Sequence, residues 1–180
     1  MSIQIRKTSF EELIVFNLNT YKDTRGVFYE TWREQEYSEA GIKESFVQDN
    51  VSVNHKNVLR GLHFQKNMGQ LVTVSYGTIW DVVVDIRPCS LTFGQHFSIE
   101  LSGEKPQQLY MPPGFSHGFC VLTDLAIINY KCTEYYNPVD EGGIVWNDPD
   151  LNIQWPLKDP ILSLKDQGFP FFKNLNKELL

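Results

Sequence analysis

Two histidines, two arginines each followed by a glycine, and a tyrosine in an apolar run are the residues of this chain whose types and spacing could do chemistry. His63 lies in the extended run Arg60-Gly61-Leu62-His63-Phe64-Gln65, and His117 directly follows the turn Pro112-Pro113-Gly114-Phe115-Ser116. Paired imidazoles invite a metal, but the position two beyond His63 is Gln65. The donors that remain are too few for a buried transition metal, which takes three protein ligands or more, so no metal is expected. What is left is proton transfer. Inverting a carbon beside a carbonyl needs a base on one face, an acid on the other, and a positive or hydrogen-bonding group near the enolate oxygen. His63 suits the base, because imidazole titrates near neutral pH and a carboxylate can fix its tautomer. Tyr130 suits the acid, since a phenol delivers a proton from a second strand without adding charge.

Each of these residues also has a plainer reading. A lone strand histidine is more often structural, Tyr130 could fill the core with its hydroxyl on a backbone carbonyl, and His117 could seal a barrel mouth. Arg25, in Asp23-Thr24-Arg25-Gly26, and Arg60, in Leu59-Arg60-Gly61, sit beside glycines that let the backbone approach a ligand. Guanidinium forks match phosphate oxygens two at a time, which suits a nucleotide diphosphate; the alternative is a surface ion pair. With neither a Walker loop nor a Gly-x-Gly-x-x-Gly run, a nucleotide here is a handle on the substrate, and no cofactor is expected.

Extended segments must position these groups. Leu71–Tyr76 alternates, Gly77-Thr78 turns, and Ile79–Ile86 continues as a strand with Trp80, Val82, Val84 and Ile86 on one face and Ile79, Asp81, Val83 and Asp85 on the other. Two carboxylates on that second face imply a wet or functional surface, or, for Asp85 beside Arg87, a turn cap or an arginine pair. Further strands are expected at Gly26–Trp32, Gln95–Leu101, Gly118–Leu122 and Ala126–Cys132, which favours an antiparallel sandwich or barrel. Helices are expected only from Glu34 to Ala40, stopped by Gly41, and in the tail from Phe172 to Leu180. The 180 residues read as one domain, 1–180, with the proline-broken segment from about 147 to 180 wrapping it as ordered loop. A net charge of -6 disfavours nucleic acid as a partner. Nothing resembles a signal peptide or a membrane span, so a cytoplasmic protein is expected. Cys89, Cys120 and Cys132 fit neither a disulfide framework nor a zinc site and read as reduced thiols.

Read together, the segments Asp23–Glu30, Phe46–Asn50, Asn57–Gln65, Asp81–Arg87, Pro113–Phe119, Trp146–Pro149 and Leu162–Asp166 resemble the dTDP-4-dehydrorhamnose 3,5-epimerase family, cofactor-free cupin enzymes. The resemblance implies an all-β cupin fold, a double-stranded β-helix (jelly-roll barrel) with a few short helices. It implies epimerisation at C3 and C5 of dTDP-4-dehydro-6-deoxy-D-glucose, with a 3-epimerase or an epimerase for another nucleotide-linked keto-sugar as the alternative. On matching positions, His63 resembles the family's base, Asp166 its paired carboxylate and Tyr130 the acid. Arg60 and His117 match contacts near the diphosphate and sugar, Gln48, Asp49 and Asn50 a strand along the nucleotide, and Glu141 and Lys165 further ligand contacts. Arg25 and Glu30 resemble residues reaching across from the second subunit of a homodimer, while Tyr21, Phe28 and Tyr136 lie near positions that stack on thymine. One departure stands out: Gln70 occupies the place of a lysine that stabilises the enolate oxygen, and Thr73 stands where many members have arginine. An amide can donate a hydrogen bond but brings no charge. The loss would slow the reaction, restrict it to one centre, or shift the work to Lys66 or an arginine.

Overall fold

Alternating apolar residues build two facing antiparallel sheets in the computed structural model, which describes residues 3–176. The first sheet runs in the order β1 (Gln4–Lys7), β2 (Ile14–Asn17), β10 (Gln107–Met111), β7 (Gln70–Tyr76), β12 (Leu125–Cys132) and β5 (Gln48–His55). The second runs β13 (Glu141–Gly143), β6 (Leu59–Gln65), β11 (Phe115–Val121), β8 (Thr78–Asp85) and β9 (His96–Ser102). A hairpin of β3 (Thr20–Asp23) and β4 (Gly26–Tyr29) stands outside both. The all-β, cupin-like architecture expected from the sequence is present, although no ladder among the described residues closes the sheets into a ring.

The core lies between the sheets. Val72, Val74, Leu109 and Ile128 from the first meet Ile79, Val83, Leu101 and Phe119 from the second, all buried. β8 is apolar on both faces because both are covered: Val82, Val84 and Ile86 form a separate buried layer with Leu62, Phe64, Ile144 and Leu151. Ile153, Trp155 and Phe172 complete that layer. This C-terminal segment is pinned by hydrogen bonds rather than strands: Asp148 accepts the backbone N–H groups of Asp150, Leu151 and Phe172, and the Trp155 indole donates to the Trp146 carbonyl. A third cluster, on the outer face of the first sheet, packs Phe16, Leu71 and Tyr110 against Tyr37 of α1 (Glu34–Glu39). The helix ends where expected, at Gly41, whose φ of +111° an L side chain rarely adopts.

Two local expectations need correcting. The tail forms a single 3-10 turn at Phe172–Asn174 instead of a helix, and its last four positions, 177–180, lie outside the described residues. A short helix not expected from the sequence, α2 (Leu164–Gln167), forms after Ser163, whose hydroxyl accepts the Asp166 backbone N–H at 3.0 Å. The three cysteines are free; burial pushes the Cys120 and Cys132 thiols up to about 12 and about 11, so both stay protonated. No helix among the described residues is long and apolar enough to cross a membrane.

Asp85 proves to be a structural carboxylate. Fully buried, it accepts from the Arg87 guanidinium at 2.7 Å, from the Arg87 backbone N–H at 2.9 Å, and from the hydroxyls of Ser90 and Thr92 at 2.6 Å each. Burial alone would raise its pKa, but these bonds outweigh it and hold the carboxyl at about 2. Because the folded pKa lies below the unfolded one, this contribution is complete above pH 4 and is lost as the pH falls toward 2. Asp85→Asn should therefore cost about 3 kcal/mol in urea unfolding at pH 7, and should flatten the acid limb of the stability profile. An unchanged acid limb would remove this assignment.

Candidate active site

The two histidines meet because of strand register. Across β6 and β11, His63 lies opposite His117 and Arg60 opposite Phe119, so three steps on β6 match two on β11. That extra residue is a bulge. Residues three apart on a regular strand point to opposite faces, and the bulge restores Arg60 and His63 to the same one. Gly61 permits it, with a φ of +123°; a Cβ there would lie 2.5 Å from the Gly118 Cα and 2.8 Å from the His117 carbonyl oxygen.

The facing wall comes from the first sheet. Tyr130 on β12 pairs in register with Asn50 on β5, while Cys132 pairs with Gln48 on one side and Gln70 on the other. Between the walls lies a cavity of about 350 Å³, lined by Arg60, His63 and His117 from one sheet and by Gln70 and Tyr130 from the other. An adjoining cavity of about 340 Å³ shares His63, Gln70 and Tyr130 and extends to Gln48, Asn50 and Glu141. An imidazole and a phenol thus face one space from opposite sides.

Electrostatics gives each group a role. His63 Nε2 lies 2.6 Å from Asp166 Oδ1, and the Asp166 side chain is only 4% exposed. Burial would raise the Asp166 pKa, but the bonds from His63, Ser163 and the Gly61 backbone amide outweigh it and lower the carboxyl below its ordinary value. An ionised carboxylate only accepts, so Nε2 is the nitrogen that donates to it, which leaves Nδ1 as the ring position available to act as a base. The Phe169 ring packs edge-on to His63 at 5.4 Å. Burial raises the Tyr130 phenol, with Cys132 adding to the shift and Arg60 opposing it, so Tyr130 holds its proton at neutral pH. Arg60 Nε donates to Asn54 Oδ1 at 2.6 Å, a neutral partner that leaves the guanidinium charge uncompensated by that contact. His117 Nε2 lies 2.9 Å from Asp81 Oδ2, with the carboxylate fully buried. Of the two carboxylates on the inner face of β8, Asp81 therefore serves the site and Asp85 the fold. Among the described residues no group of three or more His, Cys, Asp or Glu side chains is placed to hold a metal.

Several other expected residues fall around this centre. Glu141 accepts from Lys165 Nζ at 2.5 Å and from the Tyr136 hydroxyl at 2.8 Å; burial would raise its pKa, but these partners lower it. Lys165 thus braces Glu141 and does not itself line the cavity. Asp49 needs correcting: β5 alternates, Gln48 and Asn50 face the cavity, and Asp49 turns outward to pair with Lys131 at 2.9 Å. Lys66 lines a separate depression beside Arg87 and neither of these two cavities. Within one chain, Arg25 and Glu30 do not reach the cavity: Arg25 is exposed and paired with Asp23 in the β3–β4 turn, and Glu30 pairs with Arg33. The sequence reading missed the Asp81 partnership with His117 and the Phe169 contact. Asp81 left a signal, a charge on an apolar strand face; Phe169 left none.

Residues 7–174 match the family model described as dTDP-4-dehydrorhamnose 3,5-epimerase. A relative of that name from Methanothermobacter thermautotrophicus is 46% identical over 168 residues, covering 91% of each chain. Another from Salmonella typhimurium is 45% identical over 169 residues, covering 91% of this chain and 92% of its own. The crystal structure of a dTDP-6-deoxy-D-glucose-3,5-epimerase from Legionella pneumophila, in complex with dTDP-4-keto-L-rhamnose, superposes with a TM-score of 0.96 at 45% identity, covering 99% of this chain and 97% of that one.

The bulge makes a direct test of how the site is built. Gly61→Ala should lower stability by about 3 kcal/mol in denaturant titration, because the added methyl meets backbone at an unfavourable φ. Wild-type stability in that variant would show that β6 can pair without the close approach.

Proposed function

The chain belongs to the dTDP-4-dehydrorhamnose 3,5-epimerase family, and on that footing we propose that it converts dTDP-4-dehydro-6-deoxy-D-glucose to dTDP-4-dehydro-L-rhamnose by inverting C5 and C3. The observation that carries the reading is the His63–Asp166 pair on one wall with the protonated Tyr130 phenol on the other. His63 Nδ1 takes the proton from the carbon beside the ketone, and the electron pair of the broken bond moves onto the C4 oxygen. Asp166 stabilises the imidazolium that results. Tyr130 then delivers its proton to the opposite face of that carbon, and the enolate collapses back to the ketone with inverted configuration. Base and acid return to their starting states by exchange with solvent before the second centre reacts. Arg60 and His117 bind the diphosphate and sugar, and Gln48 and Asn50 run along the nucleotide. Glu141, braced by Lys165, lines the adjoining cavity.

The proposed working unit is a homodimer in which the β3–β4 hairpin of one copy enters the cavity of the other. Tyr21, Val27 and Phe28 on that hairpin are large apolar side chains left exposed in the single chain, which supports a second copy covering them. Arg25 and Glu30 would arrive on the same hairpin. The segment from about 147 onward belongs to the same single catalytic domain, and the nucleotide-linked substrate points to the cytoplasm.

Incubation with the dTDP-keto-sugar in deuterated water should place one deuteron at C5 and one at C3. Label at a single centre would favour the 3-epimerase reading over double inversion. His63→Ala should reduce exchange by about 10³-fold while leaving nucleotide binding nearly intact, and Tyr130→Phe should keep some C5 exchange yet fail to complete inversion. Undiminished exchange in His63→Ala would remove the base assignment. Light scattering should give the mass of two chains; full activity from a monomer would overturn the hairpin's proposed role.

A further inference from the structure

One side chain that lines the cavity carries a buried acceptor without a partner. Gln70 Oε1 is buried with no hydrogen bond, and the neighbouring Nε2 has the Met68 sulfur, a weak acceptor, at 3.8 Å. The backbone of Gln70 is fixed at the start of β7, in register with Met111 on one side and Cys132 on the other. Its terminal amide torsion is soft, so the carboxamide can turn while the strand stays in place. The side chain lines both cavities, as only His63 and Tyr130 also do among their lining residues. An unpartnered amide oxygen on a side chain that lines the same cavities as the base and the acid is a group prepared for a ligand.

We propose that Gln70 is a specificity-determining residue that recognises an α-hydroxyketone, with Nε2–H donating to the keto oxygen and Oε1 accepting from the hydroxyl on the adjacent carbon. The inference rests on the epimerase reading above and adds a substrate requirement to it. A carboxamide presents a donor and an acceptor side by side, and a ketone beside a hydroxyl presents the complementary pair. An ammonium can only donate and a carboxylate can only accept, so neither satisfies both.

The two bonds act at different stages. When His63 removes the carbon-bound proton, the electron pair moves to the keto oxygen, which becomes an enolate, and the bond from Nε2–H strengthens. That bond acts on kcat. The hydroxyl keeps its proton during exchange at the carbon on the other side of the ketone, so its bond to Oε1 is equally strong before and during the reaction. It acts on binding, and hence on the choice between substrates.

The test measures C5 exchange in deuterated water with the dTDP-4-keto-6-deoxy sugar and with its 3-deoxy analogue, for wild type, Gln70→Met and Gln70→Glu. Wild type should prefer the hydroxylated substrate at least about tenfold in kcat/KM. In Gln70→Met, which removes donor and acceptor at similar volume, that preference should fall to within about threefold and kcat should drop about 10- to 100-fold. Gln70→Glu, which keeps an acceptor, should lose kcat but retain the preference. The proposal is overturned if wild type treats the two substrates alike, or if Gln70→Met keeps the full preference. Absence of wild-type exchange on both substrates would instead remove the epimerase reading, and this inference with it.

Discussion

The site depends on one hydrogen bond, from His63 Nε2–H to the buried carboxylate of Asp166 at 2.6 Å. It fixes which nitrogen of the ring is free, and therefore which side of the cavity is basic. Much of the surrounding architecture serves that contact. The bulge at Gly61 turns His63 toward the cavity, and the Gly61 amide bonds the same carboxylate. Ser163 caps α2 and sets the backbone of Asp166, while Phe169 holds the ring edge-on. A buried carboxylate would be costly alone, but donors on several sides keep it ionised.

The two sheets divide the remaining work. The second carries the imidazoles and a guanidinium; the first carries a neutral phenol and carboxamides. The charge on one wall and the proton donor on the other are kept separate by the width of the cavity, an arrangement suited to adding and removing protons from opposite faces of one carbon. β8 shows how a single strand supports both the fold and the site. Asp85 anchors a loop through Arg87, Ser90 and Thr92, and four residues earlier on the same face Asp81 orients His117.

Much of this was legible in the sequence where chemistry and local pattern agree. The strands β7 and β12 are written in their alternating residues and β8 in its continuous apolar run, and the family resemblance carries His63, Tyr130 and Asp166 together. Register was not legible. Simple alternation separates Arg60 from His63, and only the bulge, which depends on the contact of Gly61 with Gly118 on another strand, brings them to one face. The run Gln48-Asp49-Asn50 shows the opposite failure: it matches the family as a block, yet a strand cannot turn three consecutive side chains the same way, and Asp49 points outward. α2 is four residues long, too short for periodicity to reveal, and depends on a serine cap and on its contact with β6.

Asp166 lies 103 residues beyond the imidazole it orients, on a stretch that adds no strand to the sheet carrying that imidazole. While the chain is being synthesised, the β6–β11 wall can form long before the orienting carboxylate has left the ribosome. A nascent chain therefore carries the nitrogen but not the partner that selects its tautomer. The paired imidazole and carboxylate therefore exist together only once the segment that carries Asp166 has been made and has docked.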